Sequence, residues 1–150
     1  MGDCMEIGQG MIGRVLAVRL DKGEDLLEGI RMACEEVGIK CGIIYGVGGL
    51  SKARVSTGST NGESKVVEIH SESKEIIDVS SLVGIISMKG NKTHLNVHLT
   101  LSRPSGVVVS GRALNGNLVN PSIELVVLEI QKAKLERIIK EGFEILKIHE

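Results

Sequence analysis

The feature that most constrains the fold is a strict alternation of apolar and polar side chains that begins after Thr93. Four apolar residues alternate with four polar ones: Leu95, Val97, Leu99 and Leu101 against His94, Asn96, His98 and Thr100. Only an extended strand places alternate residues on opposite faces. The pattern therefore predicts a strand with one face in a hydrophobic core and a row of polar side chains on the other.

The residues after this strand predict a turn and a returning strand. Arg103–Gly106 favours a turn, because Pro104 fixes its own φ and Gly106 tolerates a positive one. The run Val107–Leu114 then leads back and carries Arg112. We expect a β-hairpin in which Arg112 lies beside the row that contains the two histidines.

The composition is that of a globular protein with an aliphatic core. Hydrophobic residues make up 42% of the 150 residues and charged residues 25%. The aromatic residues are Tyr45 and Phe143, so the chain has almost no aromatic side chains on which nucleic-acid bases could stack. The formal net charge of −1 gives no reason to expect polyanions or anionic membranes as partners.

Charge is unevenly distributed along the chain. No acidic residue lies between Asp78 and Glu124, and this interval contains several basic residues and two histidines: Lys89, Lys92, His94, His98, Arg103 and Arg112. Strands are generally poor in Asp and Glu, which is one explanation. An anion-binding face is the other.

The N-terminal third predicts a strand followed by a helix. Arg14–Leu20 alternates like a mostly buried strand. Glu24 and Asp25 favour the start of a helix, because their charges suit the positive end of its dipole. An apolar stripe at helical spacing continues to Val37, and Gly38 suits a left-handed cap.

A glycine-rich segment after the next predicted strand, Ile39–Val47, allows two interpretations. A phosphate-binding loop requires the glycines of Gly46–Gly49 to lead into the N-terminus of a helix. Leu50–Thr57, however, alternates like another strand. The pattern favours a sharp bend in a sheet over a phosphate loop.

The rest of the chain predicts more strands and an ambiguous tail. Gly58–Ser64 is expected to be a loop, and further strands are expected at Lys65–His70, at Glu75–Ser87 with a kink near Ser80–Ser81, and at Ile123–Ile130. In the tail, Gln131–Glu150, apolar residues at helical spacing favour a helix, although the preceding strand could continue. This gives seven or eight strands and one main helix.

The chain is expected to be one domain of a cytoplasmic protein. Residues 1–13 are predicted to be a flexible N-terminal arm and residues 14–150 a single domain. The start lacks a hydrophobic signal segment, and no apolar run is long enough to span a membrane. Cys4, Cys34 and Cys41 are an odd number with no metal or redox spacing, so we expect reduced, buried thiols.

The order of these segments resembles the plant and prokaryote conserved (PPC) domain family, stand-alone prokaryotic type, from about Arg14 to Leu146. The segments that carry the resemblance are LDKGEDLLEGIRMACEEVGI, GVGGLSKARV, SSLVGIIS, HLNVHLTL, GRALNG and IELVVLE. The resemblance implies an α/β (α+β) domain with a largely antiparallel, barrel-like sheet. It also implies a homotrimer assembled through sheet edges, which would cover exposed strands.

The resemblance also bears on partners and activity. In plants the domain lies behind AT-hook segments that bind DNA, whereas the prokaryotic proteins have no established biochemical role. This chain has no AT-hook and no net basic charge, so DNA as a partner rests on the resemblance alone. A similar architecture occurs in acetolactate decarboxylase, a metal enzyme with histidine ligands.

Many prokaryotic members carry HxH on the central strand and GH on its partner, and these three histidines can hold zinc. Here His94 matches the first position, but Asn96 replaces the second and Arg112 replaces the third. Zinc needs three or four well-directed ligands, and an arginine repels a divalent cation. We therefore expect no cofactor, with His94 and His98 as the ligands if zinc is bound after all.

The sequence leaves three interpretations of the polar row open. The row is the solvated face of a sheet in an assembly module. Alternatively, His94, Asn96, His98 and Arg112 form the binding site of a regulatory or small-ligand module, in which Arg112 binds an anion. In the third, a metal-dependent enzyme acts on a small molecule at the His94/His98 face, with a histidine as general base. Whether the protein is an enzyme is left undecided.

Overall fold

The structure is a computed structural model that describes residues 5–149. Within them lie one helix and nine strands: β1 (Met11–Asp21), α1 (Leu26–Val37), β2 (Gly42–Thr60), β3 (Glu63–His70), β4 (Ile77–Lys89), β5 (Lys92–Ser102), β6 (Val108–Ala113), β7 (Leu118–Gln131), β8 (Lys134–Lys140) and β9 (Phe143–His149).

All of these strands belong to one large sheet that is almost entirely antiparallel. The hydrogen-bonded order is β1-β7-β2-β6-β5-β4-β8-β9, with β3 on β2 and an additional pairing of β2 with β4. The parallel contact is a single pair, Met88 of β4 with Glu136 of β8. The predicted combination of a large antiparallel sheet with one helix is confirmed, and the fold is α+β with a mostly β character.

Helix α1 has the predicted position and the predicted left-handed cap at Gly38. Asp25 is the N-cap, and its Oδ1 accepts a hydrogen bond from the Glu28 N–H at 3.1 Å. Gly38 ends the helix in the left-handed conformation with φ 73°, and its N–H donates to the Glu35 carbonyl. The apolar stripe of the helix is buried against the sheet: Leu26, Leu27, Ile30 and Cys34.

The predicted hairpin around the polar row is confirmed as β5 and β6. On β5, Val97, Leu99 and Leu101 are buried in the same core as the apolar stripe of α1. The turn closes as expected, because Gly106 adopts φ 86° and its N–H donates to the Arg103 carbonyl at 2.8 Å. The polar row of β5 therefore lies on the sheet face opposite to α1.

The prediction of two strands separated by a bend at Gly46–Gly49 is wrong, because both belong to the single strand β2. The first part of β2 pairs with β4 and β7, and the second part pairs with β3 and β6. The pairing with β4 shifts register between Gly46 and Gly48, and the pairing with β7 shifts between Gly48 and Leu50. The glycine segment is therefore a bulge inside one strand. The glycines do not lead into a helix, which also rules out the phosphate-loop interpretation.

The prediction of a helix in the tail is also wrong. Residues 134–149 form the hairpin β8–β9, in which Leu135 pairs with Ile148 and Ile138 with Ile145. Glu141 and Gly142 both adopt positive φ, the conformation that a two-residue hairpin turn requires. Because two predicted strands merge in β2 and the hairpin adds two, the described residues contain nine strands rather than the predicted seven or eight.

Three other boundaries can be compared with the sequence. Strand β1 begins at Met11, inside the arm predicted for residues 1–13, because its first residues pair with β7. The loop predicted at Gly58–Ser64 is reduced to a turn at Asn61–Gly62 between β2 and β3. The kink predicted near Ser80–Ser81 is confirmed by a register shift between β4 and β5 at this point.

The structure describes two of the three cysteines. Cys34 and Cys41 are buried free thiols, and burial raises the pKa of Cys34 to about 11. Cys4 lies outside the described residues. Between residues 5 and 149, no helix has the length and apolarity needed to cross a bilayer.

A network around Arg14 joins β1, β7 and the end of α1. The guanidinium donates to the Glu129 carboxylate from Nε at 3.0 Å and from Nη2 at 2.7 Å, and it donates from Nη1 to the Val37 carbonyl at 2.6 Å. The backbone N–H of Arg14 also donates to Glu129 Oε1 at 2.9 Å. These bonds lower the pKa of Glu129 from 4.5 to about 2, with the Arg14 side chain as the largest cause.

We expect the Glu129→Gln substitution to destabilise the protein in a pH-dependent way. A carboxylate whose pKa is lowered by folding stabilises the fold above its unfolded value of 4.5 and loses this contribution as the pH falls toward about 2. The difference in thermal unfolding midpoint between the parent and the variant, followed by circular dichroism, should therefore shrink across this range. Glu124→Gln, at an exposed position of the same strand, is the matched control. A difference for Glu129→Gln that is independent of pH would contradict the assignment.

Candidate functional site

The four predicted site residues line a single cavity in the outer face of the sheet. His94, Asn96 and His98 come from β5 and Arg112 from β6, and all four border a cavity of about 650 Å³. This volume lies within the usual range for small-molecule sites. The structure therefore brings the four predicted site residues together around one cavity, whereas Thr100, the last polar residue of the row, is not among its lining residues.

The strand register fixes how these residues meet. His98 and Arg112 are directly opposite each other in the β5–β6 pairing, and Arg112 is also opposite Ser56 of β2. On β5, His98 Nε2 lies 3.1 Å from Asn96 Oδ1. Since an amide oxygen only accepts, the Nε2 nitrogen carries the proton in this contact. The amide thus orients the His98 ring at the mouth of the cavity.

The Arg112 side chain has no acidic partner among residues 5–149. It is exposed and makes no hydrogen bond or ion pair within the described part of the chain. The arginines outside the cavity, by contrast, all form ion pairs with carboxylates: Arg14 with Glu129, Arg19 with Asp21, Arg31 with Glu28, Arg54 with Glu68, and Arg103 with Glu75. Arg112 is thus a fixed cation that faces the cavity unneutralised.

His94 is held by a carboxylate that the sequence did not reveal. Its Nε2 lies 3.1 Å from Glu144 Oε2, and the other oxygen of Glu144 accepts from Lys89 Nζ. Burial lowers the pKa of His94, while the Glu144 contact opposes this shift. When the ring is neutral, Nε2 carries the proton for the carboxylate. Nδ1, which is buried and has no hydrogen-bond partner in the described part of the chain, is then an unmatched acceptor.

A second guanidinium, that of Arg137, borders the same cavity. Arg137 Nε donates to Ser87 Oγ at 3.3 Å, and no carboxylate lies within salt-bridge distance among the described residues. Burial lowers the pKa of Arg137, partly offset by the charge of Glu144. Arg137 is therefore a partly desolvated cation that forms no salt bridge with any residue the structure describes.

Sequence reasoning missed every cavity residue that comes from the tail. Arg137 lies on β8, and Phe143 and Glu144 lie on β9. The helix predicted for this segment would not place these side chains beside β5. One signal was present: Glu141–Gly142 between two apolar segments is compatible with a hairpin turn, and a hairpin would have returned the tail to the sheet.

The family identity of the chain follows from comparison with known proteins. The model of the Plants and Prokaryotes Conserved (PCC) domain matches residues 7–131. The chain belongs to this family. The resemblance drawn from the sequence segments is thereby confirmed, and the hairpin β8–β9 lies beyond the matched residues of this PCC-domain chain. None of the curated proteins matches it.

Solved structures with the same fold come from several prokaryotes. A plant- and prokaryote-conserved protein of Pyrococcus horikoshii has a TM-score of 0.84 and 26% identity, over 95% of this chain and 97% of the other. A metal-containing protein of Archaeoglobus fulgidus has a TM-score of 0.83 and 25% identity, over 97% of this chain and 100% of the other. A Bacteroides thetaiotaomicron protein, named as a candidate DNA-binding protein, has a TM-score of 0.78 and 18% identity, over 93% and 98%.

The residues of this chain do not fit the zinc site that the family resemblance implies. Within residues 5–149, no group of three or more His, Cys, Asp or Glu side chains is arranged to hold a metal ion. Arg112 lies directly opposite His98, where its charge opposes a divalent cation, and Asn96 engages the His98 Nε2. The donor set of His94 and His98 is short of the three ligands that zinc needs.

We expect the Glu144→Gln substitution to lower the pKa of His94 further. The carboxylate accepts from the ring and supplies a negative charge, and both effects raise the pKa against the lowering effect of burial. The midpoint of the His94 ring signals in an NMR titration measures the change. Glu141→Gln, in the exposed turn of the same hairpin, should leave this midpoint at the parent value. An unchanged midpoint in Glu144→Gln would show that the hairpin does not hold His94 in solution.

Proposed function

We propose that this protein is a binding module for small anionic molecules and that Arg112 is the principal anion-binding residue. One observation carries the proposal. Of the arginines in the described part of the chain, the two without a carboxylate partner, Arg112 and Arg137, border the same cavity. A bound anion would supply the counterion that residues 5–149 do not provide.

The charge of the cavity wall supports an anion rather than a cation. Arg112 and Arg137 contribute two positive charges, while Glu144 contributes the one carboxylate among the described lining residues. That carboxylate is already engaged by Lys89 and His94, which lower its pKa together, Lys89 most strongly. The planar fork of a guanidinium suits two oxygens of a carboxylate or phosphate. We infer that a ligand with such a group binds at Arg112.

DNA association is a weaker candidate for this chain. Two structural relatives, from Bacteroides thetaiotaomicron and Ralstonia eutropha, are named as candidate DNA-binding proteins, at 18% and 16% identity. The net charge of this chain is −1, and the two guanidiniums that lack a carboxylate partner among the described residues line a cavity instead of forming a basic surface patch. A duplex titration under the conditions of the anion experiment distinguishes the two candidates.

We also propose that the protein is a homotrimer with a barrel-like sheet. The pairings β2–β4, β4–β5, β5–β6 and β6–β2 form a closed circuit of hydrogen-bonded strands, which supports a barrel-like sheet. Three exposed apolar side chains on neighbouring strands lie side by side, because Tyr45 is opposite both Val83 and Val126. An exposed apolar patch of this kind suits contact with other copies of the chain.

We expect Arg112→Ala to weaken anion binding. Loss of charge-assisted hydrogen bonds costs about 1.5–3 kcal/mol, which is about tenfold to a hundredfold in affinity. Calorimetric titration of the full chain with inorganic phosphate and with succinate measures the change. Arg19→Ala, an exposed arginine on β1, is the matched control and should bind as the parent does. Equal binding by Arg112→Ala and the parent, or binding by neither, would refute the proposal.

We expect the parent protein to sediment at three times the 16.1 kDa mass of one chain. A variant with Tyr45→Lys and Val83→Glu should sediment as a monomer, because charged groups at the patch would have to be desolvated in the assembly. Lys65→Glu, at an exposed position of β3, is a control for added charge alone. A parent that sediments as a monomer, or a double variant that remains a trimer, would contradict the proposed assembly.

A further inference from the structure

We infer that the anion bound in this cavity is a sugar phosphate: a small polyhydroxylated molecule with one phosphate group. The inference rests on the proposed function, because it assigns the phosphate to the Arg112 cavity. It adds a class of ligand and a second set of contacting residues. These residues lie on β2, β3 and β6, opposite the histidine row.

The wall formed by these strands is rich in hydroxyl groups. Five hydroxyl side chains border the cavity there: Ser56, Thr57, Ser59, Ser64 and Ser110. Thr57 donates to the Lys65 carbonyl at 3.2 Å. The four serine side chains make no hydrogen bond to other described residues, so their hydroxyls remain available to a ligand. We call these five residues the hydroxyl wall.

A row of free hydroxyl groups suits a ligand that both donates and accepts hydrogen bonds. Each serine hydroxyl offers one donor and two acceptor sites. A ligand with several hydroxyls of its own can satisfy both, whereas a simple carboxylate or inorganic phosphate offers mainly acceptors. The Asn96 amide on the facing strand also carries donors that can reach into the cavity. The hydroxyl wall therefore favours a polyol over a compact anion.

The remaining lining residues suit the two ends of such a ligand. Arg112 and Arg137 together offer two positive charges, which suit the charge of about −1.5 to −2 that a phosphate monoester carries near neutral pH better than a single carboxylate. Phe143 is 70% exposed at the edge of the cavity and presents a flat apolar ring. The C–H face of a sugar ring can lie against such a surface. The cavity of about 650 Å³ has room for a hexose phosphate.

The decisive experiment compares glucose 6-phosphate with its two parts. Calorimetric titration of the full chain with glucose 6-phosphate, inorganic phosphate and glucose measures whether the sugar adds affinity. We expect glucose 6-phosphate to bind at least about tenfold more tightly than inorganic phosphate, since several added hydrogen bonds amount to that factor or more.

Variants of the hydroxyl wall separate this inference from the proposed function. The double change Ser59→Ala and Ser110→Ala should weaken the binding of glucose 6-phosphate much more than that of inorganic phosphate, so that most of the added affinity of the sugar is lost. Ser73→Ala with Ser105→Ala, at exposed positions away from the cavity, is the matched control. Both changed pairs are at exposed sites, so thermal unfolding should confirm that each variant folds.

The possible outcomes are distinguishable. Equal affinity for glucose 6-phosphate and inorganic phosphate would overturn the sugar-phosphate assignment and leave the anion-binding function in place. Binding of adenosine monophosphate about tenfold more tightly than glucose 6-phosphate would overturn it in favour of a nucleotide. If no anion binds to the parent, both the inference and the proposed function are wrong.

Discussion

The close approach of β2 to β7 is the constraint on which the rest of the sheet depends. At Gly46 and Gly48 the backbone of β7 lies so near that an added Cβ would contact the Glu124 carbonyl oxygen at 2.8 Å and the Ile123 Cα at 2.7 Å, respectively. Gly48 also adopts φ 154°, which side chains rarely permit. A residue with a side chain would push the strands apart. Because β2 continues past this point to pair with β3 and β6, the same glycines determine where the second half of the sheet is placed.

The position of the cavity follows from this path of β2. The second half of β2 pairs with β6, which places Ser56 opposite Arg112. The hairpin β8–β9 approaches from the other side, where Lys89 and His94 bind Glu144. The cavity is thus formed by segments that lie far apart in the chain. Its polar side chains sit on the outer face of a sheet whose inner face carries the aliphatic core.

Arg112 occupies the position at which the family resemblance implies a histidine, and this changes the chemistry expected of the cavity. The three histidines that the resemblance implies would supply neutral nitrogen donors for a metal ion. Arg112 instead supplies a permanent positive charge, which requires a negative partner rather than attracting a cation. Arg137 adds a second such charge from the tail, and no carboxylate among the described residues forms a salt bridge with it. The cavity on the outer face of this PCC-domain chain is therefore compatible with anion binding. The histidine pattern that the family resemblance implies does not by itself indicate such a function.

The sequence by itself determined the elements whose signals are local. The period of two along His94–Leu101 fixed β5 and its polar row, and Asp25 and Gly38 fixed the ends of α1 through hydrogen bonds within one turn. Only the tertiary structure decided the rest. The tail forms a hairpin whose two strands pair along their length and in which Leu135 is buried, and the helical spacing of its apolar residues does not reflect this pairing. Glu144, Arg137 and the hydroxyl wall meet His94 and Arg112 only through pairings between distant strands, and such contacts leave no pattern in the local sequence.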